Sequence, residues 1–337
     1  MNVLAEVDGN RTRRTGIARP NRFDGGGDHQ VPGHLRLGRY QGQQCERESV
    51  GNVEGMTAYE RLTPALGAMV SGIRLGEIDS ETSEALYDAL IEHSVLFFRY
   101  QHLAPLELVA LGRYLGALGA RHHSYNTHPE TDDLVVLDWK PGDRPDAAEW
   151  HSDMTFKASP PFATILQAMT LPPVGGDTLW ASMYSVHDRL DPGLRSDLEQ
   201  LSAVHDPGAF RNGAYARGGN AGIDEMLGTV GSAVWPIISH HPVTGRPYVN
   251  VSESNTRWII GIGAPESARI IALLLDMINR PDHQVRLRWE PGTIAIWDNR
   301  GTQHYAVSDY PQYRRMMHRV VVHTDTRLAA RSQPTVG

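Results

Sequence analysis

Apolar positions change period several times after residue 56. In DSETSEALYDALIEH (79–93) they recur at helical spacing behind a polar Asp-Ser start, which predicts a helix. SVLFFRY (94–100) follows directly as a short buried strand. A second helix is expected over 105–118 and a third over the apolar stretch 265–279. Elsewhere the period shortens to that of strands: LVVLD (134–138), ATILQAM (163–169), DTLWAS (177–182), YVNVS (248–252), VRLRW (285–289), TIAIWD (293–298) and MMHRVVVH (316–323). Turn signals join several of them, namely PPVGGD (172–177), PVTGRP (242–247) and EPG (290–292). Many short strands with few helices between them favour a barrel or sandwich over a doubly wound sheet. The fold class is therefore mainly β with flanking helices.

Two stretches lack this patterning. Residues 1–55 hold ten glycines and eight arginines, including RTRR (11–14) and DGGGD (24–28), with almost no apolar periodicity. Such a segment cannot bury enough surface to offset the entropy of ordering it, so a disordered N-terminal extension is expected. It has no apolar run of a secretory signal. Residues 56–330 then form a single domain, with 331–337 a tail. Residues 206–234 are glycine-rich and poorly patterned, and they read as a lid loop.

Composition narrows the function classes. Hydrophobic residues make up 40% and charged residues 21%, as in ordinary globular proteins. The net charge of −7 offers no basic field for nucleic acid. No apolar run reaches the length of a membrane span. The single cysteine, Cys45, excludes an internal disulfide framework and fits a reducing, cytoplasmic setting.

The chemistry begins at WHSDMTF (150–156). On a strand, His151 and Asp153 would project from one face and place an imidazole and a carboxylate in the same space. Near the C-terminus, WDNRGTQHYAVSDYPQYRRMMHR (297–319) supplies His304 after a strong strand and a turn. Two histidines and one carboxylate leave coordination positions open, which suits an iron(II) oxygenase. Zinc hydrolases use similar donors, commonly from an H-E-x-x-H helix, and no such motif occurs here.

WHSDMTF, GGDTLWAS and the 297–319 block, in this order and at these distances, resemble the taurine dioxygenase family of iron(II)- and 2-oxoglutarate-dependent oxygenases. That family includes the 2,4-dichlorophenoxyacetate-type enzymes, and the resemblance spans about residues 60–327. It implies a double-stranded β-helix, the cupin-like jelly roll. It also implies Fe(II) held by His151, Asp153 and His304, with 2-oxoglutarate and O2 as co-substrates. Arg315 and Thr178 match the residues that bind the distal carboxylate of 2-oxoglutarate, a task for which a guanidinium fork is suited.

The same resemblance places His122, Tyr125 and Arg319 on the substrate, with His123 competing for the role of His122. An arginine and a histidine suit a sulfonate, sulfate or carboxylate. The expected reaction is hydroxylation of a small anionic substrate, foremost a sulfonate such as taurine, releasing sulfite, succinate and CO2. Ala147 stands where the taurine enzyme has an asparagine near the substrate amine, and Asn255 stands where the family has an aromatic. Alkylsulfate esters and aryloxyalkanoates therefore remain alternatives, and a non-catalytic binding protein on the same fold is a remote one. Helix 265–279 could support a homodimer or tetramer.

Overall fold

The structure, a computed structural model, describes residues 57–331 except 120–124, 144 and 146; for 209–217 and 329–331 it describes the backbone alone. The expected extension 1–55 and most of the tail lie outside the described residues. What is described belongs to one compact unit, Asn52–Gly337.

A nine-stranded sheet runs Ala58–Arg61, Ala68–Ser71, Val95–Phe98, Ile294–Asp298, Ala163–Thr170, Arg315–Thr324, Thr131–Trp139 and Asn126–His128, with Ala117–Leu118 pairing to Arg315–Thr324. A smaller sheet holds Gln284–Leu287, Thr178–Ser182 and Thr302–Ala306. Strand periodicity decides which face each residue serves. Leu96, Phe98, Ile165, Ile296, Val320 and Val322 point outward, against Leu86, Leu90, Leu108 and Leu111 of helices Ser80–His93 and Pro105–Leu115. Val95, Phe97, Leu166, Trp297 and Met317 point inward, against Trp180, Val285 and Leu287 of the small sheet.

Trp180 anchors this inner layer. Its ring meets Phe97 and Trp297 edge-on, with centroids 5.2 and 5.6 Å apart. Each such pair contributes about 0.5–1.5 kcal/mol beyond its buried area. Two sheets on one apolar layer, with helices outside, make the expected jelly roll. Behind the small sheet, helix Ala264–Ile278 buries Ile270, Leu274, Met277 and Ile278 in a second core. The apolar stripe assigned to association thus covers this chain's own interior. No described helix is long and apolar enough to cross a membrane.

Most elements lie where the pattern put them. Helix 79–93 is Ser80–His93, opened by Asp79, whose carboxylate accepts the Thr82 N–H at 2.8 Å. Strand 316–323 is Arg315–Thr324, whereas 248–252 shortens to Pro247–Val249. Two readings fail. WHSDMTF is not a strand: His151 alone forms a β-bridge, and the chain then turns, with Met154 at φ 50°. Residues 206–234 are not a loop but contain helix Ala209–Val230, broken at Gly219, where φ is 60°. Met226 and Val230 of that helix pack on Phe156 and Met154, a tertiary contact with no local signature.

The turn before strand Thr302–Ala306 depends on Gly301, because a Cβ there would clash with the hydroxyl-bearing edge of the Tyr184 ring. Gly301→Ala should destabilise the protein by about 1–3 kcal/mol, as overpacking does. Gly228→Ala, on the helix and facing open space, should be neutral or slightly stabilising. Thermal unfolding of both variants checks this, and equal midpoints would contradict it.

Candidate functional site

His151 and His304 are brought together by their backbones. The His151 N–H donates to the His304 carbonyl at 3.1 Å, and the His304 N–H returns the bond at 2.8 Å. Residues paired this way send their side chains to the same face, and the ring centroids stand 4.1 Å apart. Asp153 reaches the same space from the turn, its Oδ1 lying 3.8 Å from His304 Nε2. One ligand atom from each of the three residues can be chosen so that all lie within 4.8 Å of one another.

The surroundings fit these groups for a cation. His151 Nδ1 donates to the Glu149 carbonyl at 2.7 Å, which leaves Nε2 with its lone pair. Burial and His151 push the His304 imidazole down to about 3, so it is neutral and able to ligate. Burial would raise the Asp153 carboxyl, yet the neighbouring imidazoles, the Arg319 guanidinium and the Thr164 hydroxyl together hold it below the usual carboxylate range. An anionic carboxylate beside two imidazoles is a donor set for a divalent metal with open positions.

Arg315 lies in the same cleft and is 2% exposed. Its guanidinium carbon is 5.8–5.9 Å from the rings of Trp139, Trp289 and Tyr310. Its Nε donates to the Gly176 carbonyl at 3.2 Å, while Nη2 has no partner among the described residues. Gly176 takes φ 71°, and its own N–H donates to Asp309 Oδ1 at 2.8 Å. Thr178, also in the cleft, accepts from Trp289 Nε1 at 2.9 Å and keeps its own proton to donate. A buried guanidinium with an idle N–H and a hydroxyl beside it fits a ligand carboxylate. Arg314, by contrast, is exposed and pairs with Asp138.

Arg319 shares the inward face of its strand with Arg315 and Met317. Its Nη1 is 3.9 Å from Asp153 Oδ1, and its guanidinium carbon sits 5.2 Å from the centre of the Tyr125 ring. Seven of the eight residues singled out from sequence are thus described, and all seven line one cleft. His122, with its rival His123, lies outside the described residues. Sequence reasoning missed Thr164, which donates to Asp153, Asn299, which donates to Thr164, and the aromatic cage of Arg315.

A buried charge network holds the turn that leads to His304. Asp298 accepts from Arg300 at Nε and Nη2 and from His241 Nε2 at 3.1 Å. Arg300 also donates to Asp325, which accepts from Tyr87.

Residues 58–321 match the family model described as taurine catabolism dioxygenase TauD, TfdA family. An alkylsulfatase of Acinetobacter baylyi is 34% identical over 78% of this chain and 83% of its own length. An alpha-ketoglutarate-dependent sulfate ester dioxygenase of Pseudomonas putida is 34% identical over 76% of this chain and 86% of its own. The crystal structure of a taurine dioxygenase from Burkholderia xenovorans superposes with a TM-score of 0.68 at 28% identity, covering 80% of this chain and 90% of that one.

The Asp298 network sets a pH dependence. Burial raises the Asp298 carboxyl, but Arg300 and His241 overcome this and hold it below its ordinary value. A depressed carboxyl contributes stability above its unfolded pKa, about 3.9, and that contribution is lost as pH falls toward the native value. Urea midpoints should therefore drop below about pH 4, and Asp298→Asn should flatten that slope. An unchanged slope in the variant would contradict the assignment.

Proposed function

Since this chain belongs to the taurine catabolism dioxygenase TauD, TfdA family, we propose that it oxidises sulfate monoesters whose organic part is apolar. The enzyme is a 2-oxoglutarate-dependent dioxygenase that uses iron(II) and O2 and acts on a small anionic substrate. His151, Asp153 and His304 are the proposed iron ligands, and Arg315 with Thr178 the proposed seat of the 2-oxoglutarate carboxylate. When bound, the iron and 2-oxoglutarate supply hydroxylation of a C–H bond by O2, coupled to formation of succinate and CO2.

The observation that carries the substrate reading is the pairing of Arg319 with an apolar wall. Among the described residues Arg319 is the arginine or lysine nearest Asp153 in the cleft, and it can hold a three-oxygen anionic group there. Around it the cleft presents Val135, Leu137, Leu166, Met154 and Phe156. Among the described residues, the other carboxylates on its lining are engaged: Asp133 bonds Arg113 at 2.8 Å and Asp132 accepts from Thr127 at 3.0 Å. The methyl side chain of Ala147, on the same lining, offers no hydrogen bond to a substrate amine. A charged head with a hydrocarbon tail fits this lining better than a zwitterion, because an unpaired ammonium would be left in apolar surroundings.

A sulfate held on Arg319, whose Nη1 is 3.9 Å from Asp153 Oδ1, would bring the carbon bearing the ester oxygen beside the proposed metal ligands. Hydroxylation there yields an α-hydroxy sulfate ester. Its hydroxyl loses a proton as the C–O bond to sulfate breaks, giving an aldehyde and hydrogen sulfate. Tyr125 stacks on the guanidinium and limits its swing, and Phe156, with helix Ala209–Val230 behind it, shields one side of the cleft from water.

A sulfonate such as taurine is the second reading. It presents the same anionic group to Arg319, and the Burkholderia xenovorans taurine dioxygenase supports it. Succinate release should rise most with medium-chain alkyl sulfates, with aldehyde appearing in step. Highest turnover with taurine, or with an aryloxyacetate, would overturn the sulfate reading.

Two variants test the clamps separately. Arg319→Met should raise the KM for the sulfate ester about 10- to 150-fold, the equivalent of a charged hydrogen bond. Its uncoupled 2-oxoglutarate turnover should survive. Arg315→Met should raise the KM for 2-oxoglutarate by a similar factor with or without substrate. Identical profiles in both variants would contradict the assignment.

A further inference from the structure

We infer that Thr164 and Asn299, driven by the indole N–H of Trp297, form a one-way hydrogen-bond relay that fixes which oxygen of Asp153 faces the metal. The inference rests on the metal reading above and concerns residues outside the triad. Trp297 Nε1 donates to Asn299 Oδ1 at 2.9 Å. Asn299 Nδ2 donates to Thr164 Oγ1 at 3.0 Å, and Thr164 Oγ1 donates to Asp153 Oδ2 at 2.7 Å. All four residues are buried, Thr164 completely.

The direction of this chain follows from its first member. An indole N–H can only donate, so the Asn299 atom it meets must be the carbonyl oxygen. The amide nitrogen is then forced toward Thr164, whose single hydroxyl proton has nowhere to go but Asp153 Oδ2. That oxygen accepts a short O–H hydrogen bond. Oδ1 is left toward His304 Nε2, 3.8 Å away. The relay therefore presents one carboxylate oxygen as ligand and holds back the other, preserving open positions that a two-oxygen grip would fill.

The same residues reach the rest of the triad. The Trp297 ring packs on the His304 imidazole with centroids 4.8 Å apart. Ser152, between His151 and Asp153, donates from its hydroxyl to the backbone carbonyl of Asn299 at 2.6 Å. Thr164 and Asn299 lie 135 positions apart in sequence, on strand Ala163–Thr170 and in the turn after Ile294–Asp298. They are positioning residues, acting through Asp153 rather than on any reactant.

Mn(II) titration of the metal-free, full-length chain, read by the electron paramagnetic resonance of free Mn(II), tests this without turnover. Thr164→Val keeps the shape and removes the hydroxyl, and should raise the Mn(II) Kd about 10- to 100-fold. Thr164→Ser should stay within about threefold of the parent. Trp297→Phe, which lets the Asn299 amide turn over, should fall between them. The Co(II) ligand-field bands should shift in Thr164→Val and not in Thr164→Ser. A parent chain that binds no Mn(II) would overturn the metal reading itself. A parent that binds while folded Thr164→Val binds equally well would overturn the relay alone, as would equal losses in the Val and Ser variants. If Thr164→Val loses cooperative unfolding, Trp297→Phe decides, and an unchanged Kd there overturns the relay.

Discussion

The two backbone hydrogen bonds between His151 and His304 are the constraint on which the rest of the site depends. They join a turn-forming segment to the edge of the small sheet, and they leave both imidazoles on one face. Without them, a segment 153 positions from His304 would have no register against it. Trp150, just before, is fastened separately by its indole N–H to Asn279 at 2.8 Å. With the Ser152 hydroxyl donating to the Asn299 backbone carbonyl, the chain is fixed on both sides of His151 before any ion is considered. Ligands held this way lose little freedom on binding, the physical meaning of a preorganised site.

One strand face carries a buried arginine, Arg315, and a half-buried one, Arg319. Arg315 sits in aromatic surroundings with an idle N–H, while Arg319 stands close enough to Asp153 to feel its charge. Burial disfavours the charge of Arg315, with Tyr310 and Asp177 opposing that effect. A guanidinium kept in such a place costs stability unless a ligand anion arrives. The inner face of a single strand, alternating Arg315, Met317 and Arg319, thus turns two guanidinium groups into the cleft that holds His151, Asp153 and His304, with one residue of the packed core between them.

Much of this is legible in the sequence because strands declare their faces. Val95 and Phe97 pack on one side and Leu96 and Phe98 on the other, so a run such as SVLFFRY announces a strand covered on both faces. The motif blocks around His151, Thr178 and His304 likewise named residues that the fold gathers into one cleft. What stayed hidden has identifiable causes. WHSDMTF alternates like a strand, yet Met154 adopts a left-handed conformation that no pattern records. Helix Ala209–Val230 is too rich in glycine to reveal a stripe, and its contact with Phe156 comes from far away in sequence. Thr164 reads as an ordinary β-branched strand residue, because its role requires Asn299 on a different turn.

The account turns on whether His151, Asp153 and His304 close on one ion. An anaerobic crystal structure with Mn(II) and 2-oxoglutarate tests this most directly. The predicted result is a single ion bonded to both Nε2 atoms and to Oδ1 of Asp153, with Oδ2 still on the Thr164 hydroxyl and the far carboxylate of 2-oxoglutarate on Arg315. An ion bound elsewhere, or three side chains that share no common atom at full Mn(II) occupancy, would contradict it.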